Sequence, residues 1–379
     1  MFIRSFLAFA LLVFPLSLTI AQEESCLQRF ADVEPIESPT SSATEPQPIS
    51  TAEIAWIPDT HCIVAAGTTG VLLYDVEQAE SPMRITAPSG KAFSDIAVSP
   101  DGSQLAFGGW EESIVYLVNA GGTVSRIQAE GETVTEIAFS SDNELIAVAS
   151  SDIDDEGFPT DPRVQVWNLR LDTELAYFPD LRAVTATLVF SLDNQQLFIG
   201  GFRPGVPGES VEYWDIASQS KVWSYPEILG TVEFSENEPM LIAAADTHDR
   251  LIAVAGLYGY MNLNNFYGNA VHIWNTEQQE LPVEIIVNNS NDSRNGLNLI
   301  ALAFNSHGTV LASGMTDGTI QLWDVQSGSE LGQFQVQNDR ISQLAFSPDG
   351  MLLAVLGDNS EVYIWDVERM EEFAVLNVG

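Results

Sequence analysis

Positive charge is what this chain most lacks. Its 379 residues carry 53 Asp and Glu against 14 Lys and Arg, a formal net charge of −39, and Lys91 and Lys221 are its lysines. Such a surface repels nucleic acid and anionic membrane, so neither is an expected partner. It suits an acidic exported protein kept in solution, a cationic partner or divalent ions. The histidines are His61, His248, His272 and His307, and none has a partner at metal-ligand spacing. No nucleophile elbow, phosphate loop or zinc pair occurs. Carboxylates are so numerous that no acid/base pair stands out, and the chain is not expected to be an enzyme.

Long apolar runs are confined to the start. Residues 1–21 place Arg4 before an apolar core at 6–18 and end on the small residues Thr19 and Ala21, which reads as a secretory signal peptide cleaved before Gln22. The core is short of the ~20 residues that a span requires. The mature chain is therefore expected to be secreted, whether periplasmic or extracellular, with no membrane insertion after cleavage. Residues 22–50 are rich in Pro, Glu, Ser and Thr and read as an extended solvated linker. Cysteine occurs only at Cys26 and Cys62. In an exported chain a bridge between them is the favoured reading, with a buried Cys62 thiol and a free Cys26 as the alternative.

What is abundant is repetition, over 51–379. The template is 341–367: an apolar run ending at Phe346, the turn Ser347-Pro348-Asp349-Gly350, a second run at 352–356, another turn, and a third run ending in Trp365-Asp366. Short strands joined by tight turns make an antiparallel meander. Both faces of the strands are apolar, so each sheet has to be covered on both sides. Seven such units are marked by Trp56 and Tyr74, Val98 and Leu117, Phe139 and Trp167, Phe190 and Trp214, Ala245 and Trp274, Phe304 and Trp323, Phe346 and Trp365. Eight residues after the first marker stand Ala106, Ala147, Ala253, Ala312 and Ala354, with Val64 and Phe198 departing. A small residue recurring at one depth implies converging sheets. The spacing of the units fits four-stranded propeller blades of about 40 to 45 residues.

Trp214-Asp215, Trp323-Asp324 and Trp365-Asp366, with the turns Ser99-Pro100-Asp101-Gly102 and Ser347-Pro348-Asp349-Gly350, resemble WD40 repeats. The resemblance implies an all-β, seven-bladed β-propeller of four-stranded antiparallel blades. It also implies a histidine before the first strand, bonded through a network to a turn Asp and the Trp. Here that position reads Ser89, Glu130 and Gln337 in three blades, so Asp317 and Asp358 are expected to act only as turn residues.

The units are not equal. The paired markers stand 18 or 19 residues apart in blades 1, 2, 6 and 7, but 28, 24 and 29 apart in blades 3, 4 and 5. Longer connections at 226–239 and 288–296 precede blades 5 and 6. In a propeller these insertions emerge on one face, where repeat proteins commonly bind. The candidate binding residues are Phe202 and Arg203 in one loop, and Tyr258, Tyr260, Phe266 and Tyr267 in another. Exposed aromatics beside amides and a guanidinium grip a sugar or a peptide, or else fold back to cover the blade ends. Asp152, Asp154 and Glu156 before Gly157 resemble the start of an EF-hand calcium loop, although Arg163 stands where the closing bidentate Glu belongs. The other reading is a solvated acidic loop. No cofactor is expected beyond that calcium alternative. The expected function is a monomeric, non-catalytic exported propeller binding a protein or glycan partner. The alternatives are a polysaccharide hydrolase or lyase using carboxylates of 151–162 or Glu209, and an envelope scaffold resembling the TolB type of propeller.

Overall fold

A computed structural model describes residues 26–33, 53–67, 70–77, 82–85, 93–109, 112–155, 159–179, 181, 184–202, 210–225, 242–245, 251–258, 268–275, 283–287, 299–336, 340–359 and 361–378. These form seven four-stranded antiparallel sheets at 53–85, 93–128, 133–178, 184–225, 242–287, 299–335 and 341–377, here sheets 1 to 7. Each is an uninterrupted meander in chain order. The fold is all-β and propeller-like.

The strand pairing explains the recurring alanine. Ala106, Ala147, Ala253, Ala312 and Ala354 each lie opposite a second alanine on the first strand: Ala97, Ala138, Ala244, Ala303 and Ala345. All five second-strand alanines are fully buried. Sheet 1 pairs Ala55 with Val64, and sheet 4 pairs Val189 with Phe198. Larger side chains around these pairs fill the spaces between sheets. Sheets 3 and 4 share a core of Ala147, Val164, Phe178, Leu188 and Leu197, and sheets 6 and 7 share Ala312, Leu322, Phe334, Leu353 and Val355.

At the end where strands one and two join, a serine fixes the turn in sheets 2, 3, 4 and 7. The hydroxyls of Ser99, Ser140, Ser191 and Ser347 donate to Asp101, Asp142, Asp193 and Asp349 at 2.6–2.7 Å and accept the backbone N–H five residues on. Burial alone raises the carboxyls of Asp101, Asp142 and Asp349, but bonds from the neighbouring N–H and hydroxyl groups outweigh it and hold them below the usual Asp range. The turn closing strands three and four repeats the device. Asp75, Asn119, Asn168, Asp215, Asp324 and Asp366 each accept a backbone N–H two or three residues on, so the Asp of Trp-Asp is an Asx cap. Asp317 likewise accepts the Thr319 N–H. Among the described residues no single tryptophan network recurs. Trp323 Nε1 donates to Ser313 at 2.8 Å, Trp214 Nε1 to Glu212 at 3.1 Å, and Trp56 Nε1 to the Ala345 carbonyl at 2.9 Å.

One marker needs correction. The tryptophan position pairs with the residue seven after the first marker, as in Trp365 with Leu353 and Trp323 with Leu311. In sheet 2 that residue, Leu105, pairs with Val118, so Val118 and not Leu117 stands in the tryptophan position. The third strand there is apolar on both faces, and its one aromatic, Tyr116, stands two residues before that position, so it does not mark the phase.

Sheet 7 packs on sheet 1. Ile54, Trp56, Leu72 and Tyr74 share a core with Ala354, Leu356, Ile364 and Leu376. The Tyr74 hydroxyl donates to the Asn377 carbonyl at 2.6 Å, which gives the tyrosine in the tryptophan position of sheet 1 its own purpose. Burial pushes its phenol up to about 12, against the opposing charge of Arg84. The last strand, Glu371–Asn377, pairs within sheet 7, and among the described residues side-chain contacts join sheets 7 and 1.

A second correction concerns 22–50. Within it, Cys26–Arg29 is one helical turn, joined by a Cys26–Cys62 disulfide with Cα atoms 6.3 Å apart. Cys26, Phe30 and Val33 are buried with Ile57, Leu73, Phe107 and Val118 in the seam between sheets 1 and 2. Gly122, at φ +78°, lies so near the Asp32 carbonyl that any Cβ would collide with it. Residues 26–33 therefore close one seam, and the remainder of 1–25 and 34–50 lies outside the described residues.

Candidate functional site

The end opposite the Ser-x-Asp turns carries the unequal hairpins. In sheets 6 and 7 the second and third strands are six residues each: Val310–Met315 with Thr319–Asp324, and Leu352–Gly357 with Glu361–Asp366. In sheet 3 they are Leu145–Ile153 and Pro159–Asn168, nine and ten residues. Sheet 5 has eight and eight, Leu251–Tyr258 and Gly268–Asn275. Sheet 4 has seven and six, Gln196–Phe202 and Ser210–Asp215. The pairs Ile153–Pro159 and Tyr258–Gly268 show that the extra residues lengthen the ladder at its outer end.

The sheet 3 hairpin is braced by a polar cluster that the sequence reading missed. The Arg163 guanidinium pairs with the Asp152 carboxylate, and its Nε donates to the Asp161 carbonyl at 3.0 Å. Burial lowers the Arg163 charge, but Asp152 more than compensates and holds the pKa above its ordinary value. Burial also raises the Tyr177 phenol, aided by its hydrogen bond with Glu130. Gln165 accepts the Glu130 N–H at 3.0 Å and donates to Glu174 at 2.6 Å. Glu132 accepts the Ile153 N–H at 3.2 Å, which ties the connection from sheet 2 to the hairpin tip. The contact confirms that hairpin tips and inter-sheet connections share one end. Glu130 and Glu132 sit in the connection entering the first strand, and that place in the repeat is the signal that could have found them.

The sequence candidates divide accordingly. Asp152 is occupied by Arg163, the residue standing where an EF-hand loop has its closing Glu, so a calcium ion would have to displace that pair. Asp154 is described next to it and Glu156 lies outside the described residues. Among the described residues no group of three His, Cys, Asp or Glu is arranged to hold a metal ion. Phe202 and Tyr258 end the second strands of sheets 4 and 5, opposite Val184 and Gly268. Arg203, Tyr260, Phe266, Tyr267 and Glu209 lie outside the described residues, as do 226–239 and 288–296. Among the described residues no helix is long and apolar enough to cross a membrane.

Comparison with known families agrees with this architecture. Residues 247–345 match the WD40 domain of anaphase-promoting complex subunit 4, and residues 328–366 match the WD domain, G-beta repeat. The chain is 36% identical over 78 residues to the WD repeat-containing protein 91 homolog of Dictyostelium discoideum, covering 21% of this chain and 10% of that protein. It is 40% identical over 70 residues to activating molecule in BECN1-regulated autophagy protein 1A of Danio rerio, covering 18% and 5%. With Coronin-7 of Rattus norvegicus the identity is 44% over 57 residues, 15% and 6% of the two chains. The matched segments thus span a tenth or less of these relatives. Two family models over 247–366, and seven sheets sharing one register, support a WD40-repeat family for this chain.

Proposed function

We propose that this chain is a seven-bladed WD40 propeller acting as a non-catalytic scaffold, which binds a protein or glycan partner through the end bearing the lengthened hairpins of sheets 3 to 5. The observation that carries the reading is the inequality of that end. The opposite end repeats one turn with the same hydroxyl and carboxylate in sheets 2, 3, 4 and 7, whereas this end differs in every one of sheets 3, 4 and 5. Variation on an invariant frame is how repeat proteins build a binding surface. The braced cluster of Asp152, Arg163, Tyr177 and Glu130 presents a rigid polar patch, and in sequence the adjacent hairpins add Phe202 and Arg203 in one and Tyr258, Tyr260, Phe266 and Tyr267 in the other. WD40 proteins serve broadly as interaction scaffolds, which favours binding over turnover.

Export is part of the proposal. The Cys26–Cys62 disulfide suits an oxidising compartment, and the signal-like start at 1–21 suits secretion. The test replaces 259–267 by a short glycine turn and compares parent and variant on arrayed glycans and displayed peptides, each with and without calcium. Loss of binding with an unchanged Tm supports the reading. Equal binding by both chains, or turnover of any arrayed glycan, overturns it.

A further inference from the structure

Three residues before each first-strand marker lies one structural position, occupied in sheets 1 to 7 by Glu53, Asp95, Glu136, Thr187, Ile242, Ala301 and Gln343. In sheets 2, 3, 4, 6 and 7 a one-residue irregularity in the ladder comes just before it. Such a bulge re-aims a side chain and frees the strand's bonding groups for another partner. The first strand is the edge of its sheet, and N–H groups on it turn to the preceding sheet. The Ile54 N–H of sheet 1 donates to Gln343 Oε1 of sheet 7 at 2.7 Å. The Ile137 N–H of sheet 3 donates to Asp95 of sheet 2, and the Leu188 N–H of sheet 4 to Glu136 of sheet 3. The same bond thus recurs across three seams.

The chain of contacts continues through side chains alone. Gln343 Nε2 donates to Glu53 Oε1 at 2.9 Å, and Glu53 is hydrogen-bonded to Asp95. A bond between two carboxyl groups requires a proton on one of them. Asp95 is 2% exposed and its Oδ2 has no hydrogen-bond partner. Glu53 and Glu136 keep part of their surface open, yet surrounding protein still withdraws them from solvent. The charges that act on the three are one another: Asp95 and Glu136 on Glu53, and Asp95 on Glu136. The facing groups on sheets 7 and 4, Gln343 and Thr187, are neutral.

We propose that Glu53, Asp95 and Glu136 form a proton-binding site across the seams of sheets 7, 1, 2, 3 and 4, so that proton uptake tightens this part of the ring and proton loss loosens it. Burial, ahead of any other cause, pushes Asp95 up to about 6 and raises Glu53 and Glu136 well above the usual Glu range, the latter two also through charge repulsion. A carboxyl raised in the folded state binds protons more tightly there than in the unfolded chain. Its stabilisation is full below the ordinary carboxylate values and is lost as pH rises through its folded value, about 6 for Asp95. The propeller is thereby matched to mildly acidic surroundings.

The test uses the full chain with its disulfide intact. Tm is followed from pH 5 to 7.5 for the parent, Asp95→Asn and Glu136→Gln. Both variants mimic the protonated form, so the difference, variant minus parent, is expected to rise by several degrees across that range. The general self-repulsion of an acidic chain is common to all three and cancels. A difference independent of pH for both variants overturns the proposal. Independently of whether the variants fold, carbon-13 NMR of labelled aspartate carboxyls in the parent gives a second readout. One carboxyl titrating near 6 supports the site, and every Asp titrating in the ordinary range overturns it.

Discussion

The two ends of this propeller-like fold are made from the same seven sheets and could hardly differ more. At one end Ser99, Ser140, Ser191 and Ser347 build the same bond to an Asp two residues on, and Asn305 replaces the serine in sheet 6, accepting the Val310 N–H at 3.1 Å. At the other, the strands run from six residues in sheet 6 to ten in sheet 3. Between them the alanine pairs are nearly constant. The difference teaches that the core and the turn end answer to packing and hydrogen bonding, which every sheet shares. The hairpin end is free to vary because extra ladder residues lengthen a strand without disturbing the packing beneath.

This contrast can be broken most severely through the shared core. Ala147→Leu in sheet 3 and Ala312→Leu in sheet 6 each force a side chain into a fully buried seam, and each is expected to cost about 1–3 kcal/mol in denaturant unfolding. A loss confined to one sheet would show that the seams are not alike. Next come the turns: Ser140→Ala and Ser347→Ala each remove a hydroxyl that both donates and accepts, for about 1 kcal/mol apiece. Acid should act on this end first. Asp101, Asp142 and Asp349 are held below the usual range, so their stabilisation is present above the ordinary Asp value and is lost as pH falls through their folded values. Hydrogen exchange of the turn amides should therefore quicken in acid before that of the hairpin end. The smallest effect belongs to Arg163→Ala. Its pair with the partly exposed Asp152 is solvent-screened, and stability should fall by less than about 1 kcal/mol even where partner binding is lost.

Most of the frame was legible because it repeats. The first markers, the alanine register and the Ser-x-Asp turns recur often enough that each copy checks the others, and Ala245 indeed ends the first strand of sheet 5. The lengthened hairpins were legible as excess residues between markers. What escaped is what occurs once. The sheet 2 marker slipped by one residue because Ile114 to Val118 is an unbroken apolar run. Residues 26–33 read as linker because Cys26, Phe30 and Val33 are too few to set a period, yet those three side chains seal a seam. Glu53, Asp95 and Glu136 were lost among 53 acidic residues, although counting back three from each marker would have aligned them.

Closure is the claim on which the account turns, since seven sheets in a row with free ends would expose the faces of sheets 1 and 7. Trp56 on Ala345, Tyr74 on Asn377 and Ile54 on Gln343 are the bonds that prevent it. Hydrogen exchange of the first strand of sheet 1, Glu53–Ile57, measured beside the first strand of sheet 7, Ile341–Phe346, tests it directly. Equal, strong protection of both is the expected result, with the Ile54 amide among the slow ones. Rapid exchange across Glu53–Ile57 while Ile341–Phe346 stays protected would mean that the ring is open.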